Sequence, residues 1–70
     1  MKRHEFVGRN LLAEMCRRGI TVPEMASRLQ ISTSTFYRRV RSPEQFTIQN
    51  LDDAAAMMKI PLEELLKTGA

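Results

Sequence analysis

The stretch TVPEMASRLQISTSTFYRRVR, residues 21–41, contains two amphipathic helical patterns joined by a tight turn. The first pattern begins at Thr21, a good N-cap residue, and Glu24 stands at the capping-box position three residues later. Apolar residues then recur at i, i+3, i+4 and i+7, which predicts one buried helix face: Val22, Met25, Ala26 and Leu29. Gln30 and Ile31 interrupt this period and Ser32 is a second N-cap, so we predict a helix-turn-helix.

The second helix of this unit is predicted over Thr33–Arg41. At about 100° per residue, Phe36 and Val40 lie about 40° apart and form its buried stripe. An arc of about 100° on another side carries hydroxyl, phenol and guanidinium groups and no carboxylate: Ser34, Tyr37, Arg38 and Arg41. Such side chains reach base edges, thymine methyls and phosphates when a helix lies in the major groove. The alternative is an ordinary solvated face, whose C-terminal arginines interact favourably with the helix dipole.

This stretch resembles the helix-turn-helix of the Cro and phage-repressor type of DNA-binding domain, often called the XRE family. The resemblance rests on Ala26 where the two helices cross, Ile31 in the turn and Phe36 as the apolar anchor of the recognition helix. The segment STST, residues 32–35, matches the usual start of that helix, and TFYRRVRSPEQFT, residues 35–47, is similar to small repressor-like proteins of phages and mobile elements. Extending from the first helix to Leu66, the resemblance implies an all-α fold, a compact bundle of five short helices like that of the lambda repressor.

Three residues depart from the usual pattern of this family. Gln30 occupies the turn position usually held by glycine, so either it adopts a positive φ at a cost on the order of 1 kcal/mol, or the turn is built differently. Val22 stands where many members carry a glutamine that touches the DNA backbone, and Arg39 replaces a residue that is often apolar. These departures concern the DNA contacts more than the fold.

The resemblance implies sequence-specific binding of double-stranded DNA by a small transcriptional regulator, a Cro-like repressor of a phage or other mobile element. We predict base-edge contacts from four residues: Thr33, Ser34, Tyr37 and Arg38. We predict phosphate contacts from four others: Thr21, Arg28, Arg39 and Arg41. One such helix covers only a few base pairs, so we expect a homodimer on a two-fold site. The alternative is a protein-interaction module, such as an antirepressor or antitoxin-like protein, which Val22 and an apolar patch of Leu62 and Met57 would favour.

Length and composition are consistent with this interpretation. Seventy residues allow one small domain, which we take as residues 1–70. Residues 1–42 hold nine Lys and Arg against three Glu, whereas residues 43–70 hold two Lys against five Asp and Glu. A positive end suits a polyanion such as DNA, although many solvated helical proteins also carry uneven charge. With no apolar run that could span a bilayer, no apolar signal-peptide core and a single cysteine, Cys16, we expect a cytoplasmic protein.

The flanking segments predict three more helices, over about residues 5–18, Ile48–Met58 and residues 62–67. Their inward faces are predicted from apolar spacing: Val7, Leu11, Leu12 and Met15; Ile48, Leu51, Ala55 and Met58; Leu65 and Leu66. We also expect Phe46 in the core, Cys16 half-buried, and Asp52 and Asp53 in the first turn of their helix. The sequence shows no nucleophile system, glycine-rich phosphate loop or Cys/His metal spacing, so we predict no enzymatic activity, cofactor, metal or small-molecule ligand.

Overall fold

The computed structural model describes residues 6–66, which form four α-helices, two 3₁₀ turns and no strand within that range. The helices are α1 (Val7–Arg18), α2 (Val22–Leu29), α3 (Thr33–Arg41) and α4 (Ile48–Met58), and the 3₁₀ turns are Pro43–Gln45 and Leu62–Leu65. The all-α fold is confirmed, whereas the prediction of five helices is wrong. The last predicted helix is a single turn in which the Glu64 N–H bonds to the Pro61 carbonyl at 3.0 Å, the i+3 pattern of a 3₁₀ helix. The predicted outer ends of the first and last helices, residues 5 and 67, lie outside the described residues.

Hydroxyl side chains cap the starts of α2, α3 and α4. Thr21 Oγ1 accepts a hydrogen bond from the Glu24 N–H at 3.2 Å, and the Glu24 carboxylate returns to the Thr21 N–H at 2.9 Å. Ser32 Oγ accepts from the Thr35 N–H at 3.1 Å, and Thr47 caps α4 in the same way. Each cap satisfies an N–H group that the helix itself leaves without a partner. The helix starts predicted after Thr21, after Ser32 and at Ile48 are therefore confirmed.

The helices α1, α2 and α4 share one type of C-terminus, in which a left-handed residue precedes an isoleucine. The left-handed residues are Gly19, Gln30 and Lys59, with φ of 66°, 61° and 57°. The N–H of each following isoleucine bonds back to the carbonyl five residues earlier, and the isoleucines Ile20, Ile31 and Ile60 pack half-buried against the core. Gln30 therefore follows the first of the two alternatives, a positive φ that carries a conformational penalty. The same conformation at Lys59 was not predicted.

The core contains buried apolar side chains from every helix. α2 packs against α4, and α3 packs against α1 and α2. The Phe46 ring meets the fully buried Phe36 ring edge-on, with 6.1 Å between centroids, which confirms Phe46 as a core residue. The buried apolar residues are Val7, Leu11, Met15, Met25, Ala26, Leu29, Phe36, Phe46, Leu51, Ala54, Ala55, Met58 and Leu65.

A close backbone approach joins α1 to α3. A Cβ atom built on the buried Gly8 would lie 2.5 Å from the carbonyl oxygen of Val40. Only a residue without a side chain permits this approach, because real Cβ atoms essentially never come so near an oxygen. Gly8 therefore places the C-terminal half of α3 directly on α1, a contact that the apolar pattern did not indicate.

Several predictions at the edge of the core are wrong. Ile48 is 69% exposed instead of inward, because it is the first residue of α4 and lies about 90° from the centre of the stripe formed by the buried residues of that helix. Cys16 is exposed, and the first turn of α4 contains neither Asp52 nor Asp53. By contrast, Leu12 and Leu66 pack half-buried against the core, in agreement with their predicted inward faces, and Met57 and Leu62 lie half-buried there as well.

Candidate nucleic-acid interface

The exposed face of α3 carries the residues that were predicted to read DNA. Phe36 anchors one side of the helix with no exposed surface, while Tyr37 keeps half of its surface exposed. Four further polar residues of α3 are exposed: Thr33, Ser34, Arg38 and Arg41. The buried stripe thus fixes α3 in the fold and leaves a polar, hydrogen-bonding face for a partner.

A cluster of hydroxyl groups lies at the start of α3. Ser32 Oγ donates to Thr35 Oγ1 at 2.9 Å and lies 3.2 Å from Ser34 Oγ, where either atom can be the donor. Since hydroxyl protons rotate, Ser34 can act as a donor or an acceptor toward a base edge. Tyr37 is less free, because its ring contacts Phe36 edge-on at a centroid distance of 6.2 Å. The half-exposed side chain of Tyr37 therefore carries its phenol on a ring that packs against Phe36.

The arginines differ in whether a carboxylate neutralises them. At the end of α1, Arg17 bonds to Glu14 at 2.6 Å, and Arg18 pairs with the same carboxylate. Four exposed arginines make no ion pair with any carboxylate of residues 6–66: Arg9, whose guanidinium group lies over the Phe6 ring, and Arg28, Arg38 and Arg41. The first turn of α3 also contains no acidic residue. Three of these arginines, which no carboxylate of residues 6–66 neutralises, therefore lie at the end of α2 and along α3, where their positive charge would favour a polyanion.

Thr21, a predicted phosphate contact, has both of its hydrogen-bond donors engaged. Its N–H and its hydroxyl each donate to Glu24 Oε1 at 2.9 Å. These bonds, the backbone one above all, hold the pKa of Glu24 below its ordinary value. Thr21 is exposed, but a phosphate would have to approach it beside this carboxylate.

Arg39, another predicted phosphate contact, is placed apart from the exposed arginines of α3. Its side chain is half-buried, and Nη1 donates to Asn50 Oδ1 at 2.6 Å. Its Nε is buried without a hydrogen-bond partner among the described residues. Around the helix axis Arg39 lies about 60° from Phe36, at the border of the buried stripe. Its guanidinium group therefore meets α4, and the structure does not bring it together with Arg38 and Arg41.

Asn50 is a residue of this region that the sequence analysis missed. It is 8% exposed, and its Oδ1 accepts from the Thr47 N–H at 3.3 Å as well as from Arg39. The pair Thr47 and Asn50 has the same three-residue separation as the capping box of α2, which was the signal available in the sequence. The contact with Arg39 spans eleven residues and two elements, so no local pattern indicates it.

Within residues 6–66, no three residues among His, Cys, Asp and Glu come together in a group that could hold a metal ion. None of the helices described there is long and apolar enough to cross a membrane.

Comparison with known proteins identifies the family of this domain. A family profile, the Cro/C1-type HTH DNA-binding domain, matches residues 10–70 and so covers most of the chain, including the whole of α2, α3 and α4. Searches among curated proteins and among solved structures found no match. The family is a DNA-binding, non-enzymatic one, and the match supports DNA binding and transcription regulation. The chain belongs to the family of Cro/C1-type helix-turn-helix DNA-binding domains.

Proposed function

We propose that this protein binds a specific sequence in double-stranded DNA through α3 and acts as a small transcriptional repressor of the Cro kind, encoded by a phage or other mobile element. The observation that carries this proposal is the face of α3, which combines exposed hydroxyl, phenol and guanidinium groups with no carboxylate in its first turn. Major-groove edges of base pairs present acceptors, donors and thymine methyls that suit such a surface.

Four side chains are proposed to read bases: Thr33, Ser34, Tyr37 and Arg38. Arg38 is the strongest of these, because a guanidinium group can bind O6 and N7 of guanine together, for about 1–3 kcal/mol of discrimination. The hydroxyl groups at the start of α3 can donate a hydrogen bond to a base edge or accept one from it. The exposed part of the Tyr37 ring adds apolar contact with a thymine methyl.

Phosphate contacts are proposed first for Arg28 and Arg41, which are exposed and form no ion pair with carboxylates of the described chain. Such contacts fix the register on the duplex without reading its sequence. A side-chain or N–H contact from Thr21 would require it to leave the Glu24 carboxylate, so we rank it below the two arginines.

A single α3 covers only a few base pairs, and we propose that two copies bind half-sites about one helical turn apart. Repression would then follow from occlusion of the promoter. In the alternative function, a protein-interaction module, the same helices bind a protein. The half-burial of Met57 and Leu62 against the core leaves little of the apolar patch that would favour this alternative.

The experiment is selection from a random duplex library at physiological salt, with wild-type protein, Arg38→Ala and Arg17→Ala. Arg17 is an exposed arginine held by Glu14, so its variant controls for loss of one positive charge. We expect a short palindromic motif with wild type and Arg17→Ala, and a weaker or relaxed motif with Arg38→Ala. Retention of DNA that is sequence-blind and equal in all three proteins would contradict base reading by α3.

Salt dependence separates DNA binding from the protein-interaction alternative. Binding through four to six phosphates should weaken with salt at a slope of about −0.9 per contact. Binding of an apolar protein surface should barely respond to salt.

A further inference from the structure

We propose that Arg39 is a positioning residue, which fixes the rotation of α3 about its own axis by bonding to the start of α4, and that it does not bind phosphate. This inference deepens the proposed function, since it rests on α3 being the DNA-reading helix. The observation behind it is the contact of 2.6 Å between Arg39 Nη1 and Asn50 Oδ1.

The acceptor at Asn50 is fully used by this arrangement. Its Oδ1 has two lone pairs, and two donors reach it, the Thr47 N–H and the Arg39 guanidinium group. The Asn50 side chain must therefore point its oxygen at Arg39. The opposite orientation of the amide would place its NH₂ donors against the donors of Thr47 and Arg39. A cation near a helix N-terminus is normally unfavourable. The hydrogen bond to Asn50 Oδ1 therefore also stabilises the Arg39 guanidinium group at the N-terminus of α4.

Two restraints then act on different sides of α3. At Val40 the backbone lies directly on Gly8 of α1, whereas the Arg39 side chain reaches α4. Adjacent residues of a helix point about 100° apart, so these restraints cannot be satisfied together if α3 rotates. The rotation of α3 decides which of its side chains face a groove. Arg39 therefore acts on base reading through Tyr37 and Arg38 without touching DNA.

A phosphate contact by Arg39 would disrupt this arrangement. The side chain is half-buried, and its Nε is buried with no hydrogen-bond partner within residues 6–66. Moving the guanidinium group to a phosphate would leave the buried Asn50 oxygen with only the longer bond from Thr47. A buried acceptor that loses its charged donor is costly, so the inward position of Arg39 is the favoured one.

The test compares Arg39→Met with Arg41→Met, two variants that remove one charge from the same helix and keep the aliphatic stem. Affinity of the full chain is measured across a range of salt on the selected duplex and on a scrambled duplex. Arg41→Met should reduce the salt slope by about 0.9 and weaken both duplexes alike. Arg39→Met should leave the slope unchanged, weaken the selected duplex by about three- to tenfold and the scrambled duplex by about twofold at most. A slope reduction in Arg39→Met equal to that in Arg41→Met would overturn the proposal.

A second measurement decides the proposal without DNA. Residual dipolar couplings give the orientation of α3 relative to α4 in wild type, Arg39→Met and Asn50→Asp. We expect α3 to be reoriented in Arg39→Met and retained in Asn50→Asp, which keeps an acceptor in place. An unchanged α3 in Arg39→Met would overturn the positioning role. Should Arg39→Met fail to fold, Asn50→Ala removes the acceptor instead and carries the same expectation for the orientation of α3. If wild type selects no duplex, the proposed function fails, while the couplings still decide the role of Arg39.

Discussion

Replacing Gly8 by alanine tests the contact that sets α3 against α1. The added Cβ would lie 2.5 Å from the Val40 carbonyl oxygen and 3.1 Å from its Cα and carbonyl carbon. Carbon–oxygen contacts of this type are normally about 3.3–3.6 Å, so the two helices would have to separate by about 1 Å. All three of these atoms belong to the backbone, so rotation of a side chain cannot relieve the clash.

The magnitude follows from two opposing effects. Forcing extra volume into a close-packed contact costs about 1–3 kcal/mol, and alanine recovers at most about 0.5–1 kcal/mol of helix propensity. We therefore expect the free energy of unfolding to fall by about 1–2 kcal/mol. For a domain of this size that lowers Tm by about 5–15 °C.

Thermal unfolding followed by circular dichroism measures this change, with Gly19→Ala as the contrasting variant. No atom of residues 6–66 lies within 4 Å of a Cβ built at Gly19, but its φ of 66° is left-handed, so the cost of alanine there should be conformational and about 1 kcal/mol. Adding Val40→Ala to Gly8→Ala should not restore the lost stability, because the clash is with the backbone carbonyl oxygen of residue 40 and not with its side chain. A Gly8→Ala protein as stable as wild type would refute the close approach of α1 and α3.

Four other changes give separate tests. Gln30→Gly should raise the free energy of unfolding by up to about 1 kcal/mol, measured by urea denaturation, because glycine adopts the left-handed conformation without strain; no gain would contradict the positive φ. The pKa of Glu24 is lowered in the folded state, so its contribution to stability is present above the ordinary glutamate pKa and is lost as the pH falls through the lowered value. The Tm of wild type should therefore exceed that of Glu24→Gln by less as the pH is lowered. A Tm difference that grew on acidification would contradict the capping box. Arg38→Ala should weaken binding to the selected duplex by about 1–3 kcal/mol and relax the preference at one base pair, which a binding titration against single-base variants would detect. Ile48→Ser should change stability by less than about 0.5 kcal/mol, because Ile48 is 69% exposed; a larger loss in thermal unfolding would mean that Ile48 is buried.

The parts of the fold that could be predicted from the sequence are those that depend on residues close together in the chain. Caps at Thr21, Ser32 and Thr47 involve partners three residues away, and the buried stripe of α2 follows the helical period. Those signals gave the four α-helices and the exposed face of α3. The left-handed turn at Gln30 is one of the two alternatives that the family resemblance left open at that position.

Sequence patterns gave no signal where a residue's environment is decided by distant parts of the chain. Ile48 fits the apolar spacing of α4, but it is 69% exposed, and the spacing within one helix does not show which of its turns another element covers. Arg39 was grouped with the other arginines because its charge suits phosphate, whereas its environment depends on Asn50, eleven residues later. Gly8 matters only through the backbone of Val40. Periodicity within one helix contains no information about these contacts.

The two left-handed caps that lack glycine affect how long the folded protein lasts in a cell. Gln30 and Lys59 each hold a conformation that costs an L-residue on the order of 1 kcal/mol. Every such increment multiplies the unfolded population about fivefold, so together they raise it by roughly 25-fold over a chain with glycine at both positions. Unfolded chains are removed by cellular proteases, and abundance follows the unfolded fraction. We therefore expect a faster turnover than the same fold would have with glycine at both positions; for a transcriptional regulator, a short lifetime would let target genes respond sooner once its synthesis stops.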